Sequence, residues 1–204
     1  MPDRHRQESM RTEDNGDSAA VILLHGRGAT ADSILQLGEE LASDAFLIAP
    51  QAHRNTWYPH GFMEPRDDNQ PWLDAALDRV SDAFEVAAEE GFTREDVHLI
   101  GFSQGACLAT EYAASNADRY GSVSGLSGGL IGQDVDQERY QDSMDGTPVF
   151  LGCSDQDPHI PVERVEATAQ VFKNLGADVD TRLYEGMGHT VNSDEKDAIQ
   201  ALLS

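Results

Sequence analysis

Hydrophobic and polar positions divide the chain into short apolar runs and longer amphipathic segments. The apolar runs predict strands buried on both faces of a sheet, and they cover residues 19–25, 45–50, 97–102, 121–128, 148–153 and 178–186. The longer segments carry apolar residues three or four positions apart, which predicts helices, at residues 31–42, 72–91, 105–115, 162–176 and 193–203. Because the two kinds of block alternate, we expect an α/β fold with a mostly parallel central sheet and helices on both faces.

The first 17 residues do not follow this alternation. They are mostly polar and contain no apolar stretch of the kind that signal peptides have. We therefore expect residues 1–17 to form a flexible N-terminal arm and residues 18–204 to form a single domain. No apolar run is long enough to cross a bilayer, and a cytoplasmic location is the default expectation.

The chain is strongly acidic, with 37 Asp and Glu residues, 14 Lys and Arg residues and a formal net charge of −23. Lys173 and Lys196 are its only lysines. This balance argues against nucleic acid and anionic membrane surfaces as partners, because both repel an acidic protein. Acidic residues spread along the chain, together with so few lysines, favour a halophilic protein over an ordinary acidic one. The sequence does not distinguish a monomer from a homodimer.

Two cysteines, Cys107 and Cys153, lie in or at the end of apolar runs. We interpret them as small buried hydrophobic residues rather than as a disulfide or a metal site. The seven histidines are scattered and lack the Cys and His spacing of zinc sites. We expect no metal and no cofactor.

The stretch 98–110, HLIGFSQGACLAT, places a Gly-x-Ser-x-Gly motif between an expected strand and an expected helix. A nucleophile elbow requires this context, because a tight turn there holds a serine in a strained backbone conformation. Gly101 and Gly105 let the strand and the helix approach their neighbours, and the start of the helix favours negative charge. We interpret Ser103 as a catalytic nucleophile, the alternative being a serine in an ordinary tight loop.

A nucleophilic serine needs a carboxylate and a base, which follow it in the order Asp, His in this type of fold. His189 lies between the last expected strand and the last expected helix, so we interpret it as the base. Asp155 and Asp157 both follow the fifth expected strand. We favour Asp157 because Pro158 biases it towards an extended backbone, whereas Asp155 is expected to bond its own backbone and shape the turn.

Acyl-group hydrolysis also needs two backbone N–H groups that stabilise an oxyanion. One is expected at Gln104, directly after the nucleophile, and the other in the loop after the first expected strand. That loop reads HGRGAT over 25–30, where Gly26 and Gly28 give the backbone the freedom to direct the N–H of Arg27 inward. A phosphate-binding loop is the alternative, but the glycine spacing and the lysine of such loops are missing.

Four stretches, LLHGRGAT, GFSQGACLA, DQDPHIP and GMGHTV, resemble the signatures of a known family. This is the small phospholipase/carboxylesterase family of α/β-hydrolases, which includes bacterial carboxylesterases and acyl-protein thioesterases. The resemblance covers about residues 19–203 and is fairly specific. It implies the α/β-hydrolase fold, a triad of Ser103, Asp157 and His189, and an oxyanion hole formed by the backbone of Arg27 and Gln104.

The sequence departs from the thioesterase branch of this family at two places. Arg27 stands where that branch usually has leucine, and Cys153–Ser154 stand where it often has His-Gly. Both departures count against a thioesterase-like substrate. The pocket lining for the acyl or alcohol group is expected at residues 55–65, NTWYPHGFMEP, within the polar, aromatic loop 51–71 that we call the pocket loop, because loops at this edge of a sheet form ligand surfaces. Its expected substrate-binding residues are Trp57, Tyr58, Phe62 and Met63, the alternative being that they only pack the loop down.

Together these features predict a serine carboxylesterase that hydrolyses a small-molecule ester through an acyl-enzyme. The alternatives are a thioesterase, a lysophospholipase or a dienelactone-hydrolase-like enzyme of the same fold, and, less favoured, a non-catalytic binding protein. Dienelactone hydrolases characteristically have a cysteine nucleophile, so Ser103 argues against that alternative. The complete triad argues against a binding protein.

Overall fold

A computed structural model describes residues 7–10 and 19–204. These residues form seven strands: β1 (Gln7–Met10), β2 (Ala20–Leu24), β3 (Phe46–Pro50), β4 (Val97–Phe102), β5 (Ser122–Leu126), β6 (Pro148–Ser154) and β7 (Asp178–Tyr184). The strands make one sheet in the order β1-β3-β2-β4-β5-β6-β7. Strands β2 to β7 are parallel, and β1 is antiparallel to β3.

Helices cover both faces of this sheet. The described residues form α1 (Ala31–Leu41), α2 (Trp72–Glu89), α3 (Gln104–Ser115), α4 (Val162–Asn174) and α5 (Ser193–Leu202). Successive side chains of a strand point to opposite faces, so Ala20, Ile22 and Leu24 pack in one core cluster with α2, α3 and α4. Val21 and Leu23 pack in a second cluster with α1 and α5. The expected α/β architecture is therefore confirmed.

One strand lies in the segment that we expected to be a flexible arm. Gln7–Met10 pairs with residues 47–50 of β3, so this part of the expected arm belongs to the sheet. The sequence QESM has no apolar periodicity, which is why the hydrophobic pattern did not predict a strand there. Residues 1–6 and 11–17 of the expected arm lie outside the described residues. The single domain over 18–204 stays a prediction.

The parallel strands place several loops at one edge of the sheet. Parallel neighbouring strands end on the same side, so the loops after β2, β3, β4, β6 and β7 meet at their carboxyl ends. Every residue of β2 and β3 is buried, as are the first five residues of β4. The loops after β2, β3 and β4 therefore start from fully packed strands. Strand β7 differs from the expected strand buried on both faces, because it lies at the edge of the sheet and none of its residues is fully buried.

Candidate active site

Ser103 occupies the turn between β4 and α3 in an uncommon backbone conformation. Its φ of 56° and ψ of −120° lie outside the regions that residues with a side chain usually adopt. Its N–H donates to the carbonyl of Leu126 in β5 at 2.9 Å, which anchors the turn to the sheet. A strained serine at a strand-to-helix turn is the local structure of a nucleophile elbow.

The two glycines of the motif are required by close packing around this turn. A Cβ at Gly101 would collide with the backbone of Gly105. A Cβ at Gly105 would collide in turn with the carbonyl groups of Leu24 and His25. Helix α3 can therefore start close against β4 and the end of β2 only when both positions lack a side chain.

Ser103, His189 and Asp157 form one chain of hydrogen bonds, although they come from three separate loops. The Oγ of Ser103 lies 2.8 Å from Nε2 of His189, and Nδ1 of His189 lies 2.7 Å from Oδ2 of Asp157. A carboxylate only accepts, so Nδ1 carries the proton and donates to Asp157. Nε2 of His189 is then the acceptor for the Ser103 hydroxyl, as a general base requires.

The Asp157 carboxylate is fully buried and has several donors. Its Oδ1 accepts from the backbone N–H groups of His159 at 2.8 Å and Ile160 at 3.1 Å. Burial alone would raise the pKa of Asp157, but the hydrogen bonds from His189 and from this backbone lower it below its usual value. The carboxylate therefore stays charged, and it can stabilise a positive charge on His189.

Asp155 points to a different partner. Its Oδ1 accepts from the N–H of Gly186 at 2.8 Å, in the loop that leads to His189. We expected Asp155 to bond the backbone of its own turn, and this expectation was wrong, because Asp157 makes that turn while also reaching His189. Ser154 accepts from the N–H of Gly188 at 3.1 Å. The residues beside Asp157 thus fix the loop that carries His189.

The two expected oxyanion donors lie on either side of Ser103. Gln104 is the first residue of α3, so its backbone N–H has no acceptor within the helix. The backbone N–H of Arg27 pairs with no acceptor among residues 7–10 and 19–204. Gly26 brings its loop close to the serine, since a Cβ at Gly26 would lie 3.3 Å from the Ser103 Cβ. Both N–H groups can therefore donate to a bound group.

The side chain of Arg27 points to the pocket loop. Its guanidinium donates to the hydroxyl of Thr56 at 2.9 Å and to the carbonyls of Pro59 at 3.0 Å and His60 at 2.7 Å. Arg27, whose backbone N–H is one expected oxyanion donor, is therefore hydrogen-bonded through its side chain to the loop that forms the cavity wall. Sequence reasoning placed the backbone of Arg27 but gave no direction for its side chain.

A cavity of about 470 Å³ opens at Ser103 and His189. Three of the four expected substrate-binding residues, Tyr58, Phe62 and Met63, line it. The fourth prediction is corrected, because Trp57 does not line the cavity, is 5% exposed and donates its indole N–H to the carbonyl of His25 at 2.8 Å. The remaining lining residues are Arg27, Gly61, Glu64, Gln104, Cys107, His159 and Ile160.

Outside the pocket loop, three of these lining residues were not predicted as parts of the site. His159 and Ile160 follow Asp157 within three residues, and the ring of His159 lies edge-on to His189 with centroids 5.0 Å apart. Cys107 lies four residues after Ser103, one helical turn along α3. Both signals are positional and are readable from the sequence once Ser103 and Asp157 are assigned.

The model of the phospholipase/carboxylesterase family matches residues 5–204 of this chain. The crystal structure of a phospholipase/carboxylesterase from Dyadobacter fermentans is 36% identical, covers 98% of both chains and superimposes with a TM-score of 0.91. No helix among the described residues is both long and apolar enough to span a membrane. Within the same residues, no three His, Cys, Asp or Glu side chains form a group that could hold a metal ion.

Two fungal proteins named acyl-protein thioesterase 1 are also similar over parts of the chain. The protein from Gibberella zeae is 32% identical over 117 residues, which are 56% of this chain and 50% of that protein. The protein from Kluyveromyces lactis is 30% identical over 135 residues, 64% of this chain and 59% of that protein. The chain thus matches between half and three fifths of the length of these two curated relatives.

Proposed function

The chain belongs to the phospholipase/carboxylesterase family, and we propose that it is a serine carboxylesterase that hydrolyses small-molecule esters through an acyl-enzyme. One observation carries the proposal. Ser103, whose backbone is strained, places its hydroxyl 2.8 Å from Nε2 of His189, and Nδ1 of His189 lies 2.7 Å from the buried carboxylate of Asp157. This arrangement can deprotonate the serine during attack on an acyl carbon.

In the proposed first step, Oγ of Ser103 attacks the ester carbon while Nε2 of His189 takes the hydroxyl proton. The buried Asp157 carboxylate holds the ring in the required tautomer and stabilises the imidazolium without taking its proton. Negative charge develops on the former carbonyl oxygen, where the N–H groups of Arg27 and Gln104 stabilise it. His189 then gives its proton to the leaving alcohol, which leaves an acyl group on Ser103.

In the second step, water attacks the acyl carbon with His189 again as the base. The same two N–H groups stabilise the second oxyanion, and the proton returns to Oγ of Ser103 as the acid leaves. The acyl or alcohol part of the substrate occupies the cavity between the pocket loop and His159–Ile160.

Cys107 is the other nucleophilic side chain that lines the cavity, and it does not compete with Ser103. Burial raises the pKa of the Cys107 thiol to about 12. The thiol is therefore protonated at neutral pH, and a protonated thiol is a poor nucleophile. This supports a serine-based mechanism over the cysteine-based one of dienelactone-hydrolase-like enzymes.

A thioesterase is the second candidate, favoured by the names of the Gibberella zeae and Kluyveromyces lactis relatives. The same triad would cleave a thioester by the same two steps. Activity on matched ester and thioester substrates with the same acyl group distinguishes the two candidates. A kcat/KM that is higher for the oxygen ester supports the carboxylesterase, and the reverse supports the thioesterase.

Labelling with a serine-directed fluorophosphonate tests the proposal itself. The wild-type protein should bind one label, and Ser103→Ala should abolish both labelling and ester turnover. The exposed Ser115→Ala at the other end of α3 serves as the matched control and should label at the wild-type rate. Labelling or ester turnover in a folded Ser103→Ala variant would contradict the assignment of Ser103 as the nucleophile.

A further inference from the structure

Trp57 connects two parts of the site instead of lining the cavity. Its backbone N–H donates to Oε1 of Gln104 at 3.1 Å, and its indole N–H donates to the carbonyl of His25 at 2.8 Å. Gln104 carries one proposed oxyanion donor, and His25 begins the loop that carries the other, Arg27. A single buried residue therefore bonds to both donor segments.

The side chain of Gln104 also bonds to the backbone of the pocket loop. Its Nε2 donates to the carbonyl of Tyr58 at 2.8 Å, while its Oε1 accepts from Trp57. The hydroxyl of Thr56 lies 3.3 Å from the same Oε1 and accepts from the guanidinium of Arg27 at 2.9 Å. Gln104 is 6% exposed, so water does not readily replace these bonds.

The loop that carries Arg27 is fixed to the pocket loop at two further points. The N–H of Gly28 donates to the carbonyl of Asn55 at 2.7 Å, and Nε2 of His25 accepts from the N–H of Ala52 at 3.1 Å. Burial lowers the pKa of His25, which keeps the ring neutral and able to accept. Residues 52–57 thus hold the segment 25–28 over its length.

We propose that Trp57 and the side chain of Gln104 are positioning residues that fix the separation of the backbone N–H groups of Arg27 and Gln104. The proposal rests on the proposed function, in which these two N–H groups stabilise the oxyanion. The donors come from loops that follow different strands, β2 and β4. Trp57 bonds to both loop segments, so it transmits the position of one to the other.

The proposal predicts a specific kinetic effect. An oxyanion forms only after attack, so misplaced donors weaken the transition state and leave substrate binding unchanged. Removal of one donor in comparable enzymes costs about 10²–10³-fold in kcat. A displaced donor should cost less, and we expect kcat to fall about 10- to 100-fold with KM within about twofold of wild type.

The test uses two variants of the full chain that remove one polar group each and keep an apolar side chain at the position. Trp57→Phe removes the indole N–H, and Gln104→Met removes the amide while leaving the backbone N–H. The matched controls are Trp72→Phe and Gln170→Met, because both residues are exposed and neither lines the cavity. Each protein is assayed for kcat and KM on one ester, for its melting temperature, and for affinity to a trifluoromethyl ketone, which serine converts to a tetrahedral adduct.

The expected result is a fall in kcat and an equal fall in ketone affinity for Trp57→Phe and Gln104→Met, with both controls unchanged. The proposal is overturned if the folded variants keep the kcat and the ketone affinity of the wild type. It is also overturned if the loss of activity is fully explained by a smaller fraction of folded protein. If neither variant folds, the milder Thr56→Val decides by the same criteria. Ser103→Ala is assayed in parallel, because turnover retained there overturns the proposed function instead, and this proposal with it.

Discussion

The triad and the pocket loop face the same cavity, but they are held in place in different ways. Ser103, Asp157 and His189 each follow the end of a strand within a few residues, and direct hydrogen bonds join them. Strands β4 and β6, before Ser103 and Asp157, are almost wholly buried, whereas β7, before His189, is an edge strand with no fully buried residue. The pocket loop is 21 residues long by its bounds, 51–71, and is held by side chains distant in sequence. Gln104 and Arg27 bond residues 56–60 of the loop from outside it, and Asn69, near the end of the loop itself, bonds residues 60 and 61.

Because the two regions are held differently, substitutions in one should affect the rate of the chemical step, and substitutions in the other should affect substrate binding. A side chain at a strand end takes its position from the sheet, so the triad geometry depends little on the loop opposite. A long loop takes its position from a few polar contacts, and changes there should move the cavity wall without moving the triad. We therefore expect triad substitutions to lower kcat and pocket-loop substitutions to raise KM, except at Thr56 and Trp57, which bond to residues of the oxyanion segments.

Asp157→Asn should produce the largest effect. The substitution keeps the shape but disfavours the tautomer in which His189 accepts from Ser103, which costs about 10⁴-fold in turnover in a serine protease. We expect a loss of that order in kcat, measured by steady-state assays on folded protein. Asp155→Asn is the matched control, because its Oδ1 can still accept from Gly186, and it should lose little. If Asp155→Asn proves the more damaging, the two roles must be exchanged.

The three residues of the proposed triad, which the structure brings into hydrogen-bond contact, could be selected from the sequence because the relevant signals are local. Each candidate followed an apolar run that ended at the correct edge, and the motif around Ser103 required glycine at two neighbouring positions. It failed for Trp57, whose burial depends on acceptors supplied by His25 and Gln104. It also failed for Gln7–Met10, a polar edge strand whose partner, β3, lies far along the chain. Hydrophobic periodicity carries no information on such pairings.

Asn69→Ala tests the other side of the comparison. Asn69 is fully buried, and its side chain accepts from the N–H of His60 at 2.9 Å and donates to the carbonyl of Gly61 at 3.0 Å. Loss of both bonds should loosen the segment that carries Phe62 and Met63. We expect KM to rise about tenfold, equivalent to about 1.4 kcal/mol of substrate binding, with little change in kcat.

The control for that prediction is Asn116→Ala, which removes an exposed asparagine at the opposite end of α3 from Ser103. It should leave both constants unchanged. A large fall in kcat in Asn69→Ala with an unchanged KM would show that the geometry of the triad depends on the pocket loop, which would contradict the comparison.

Glu195 should make stability on the triad side depend on pH. It caps α5 just after the His189 loop, and burial raises its pKa to about 7 from a usual 4.5. The native state therefore holds a proton that the unfolded chain releases between these pH values, so the free energy of unfolding falls as pH rises through that window. We expect Glu195→Gln to reduce the fall in melting temperature from about pH 5 to pH 8 by about 3 °C.

Titration of other acidic groups also changes stability over this range, so the comparison needs a matched variant. Glu163→Gln removes an exposed carboxylate from the first turn of α4. Its pH dependence should equal that of the wild type. Equal pH dependence in Glu195→Gln and Glu163→Gln would mean that Glu195 titrates normally.

Salt should act on the whole molecule and not on one region. With a net charge of −23, self-repulsion is strong at low ionic strength, where the Debye length is about 30 Å at 0.01 M. We expect melting temperature and turnover to rise with KCl into the molar range, by a small amount at each step and equally in wild type and Asn69→Ala. Full stability and activity in dilute buffer would contradict the halophilic interpretation.

The most direct test of the central claim is capture of the acyl-enzyme. The protein is mixed with an activated ester, quenched in acid within one turnover, and examined by intact and peptide mass spectrometry. The account predicts a mass increase equal to one acyl group, located at Ser103. More of this acyl-enzyme should accumulate with esters whose acyl-enzyme is hydrolysed slowly. An acyl group found on Cys107, or turnover with no covalent adduct at Ser103, would contradict it.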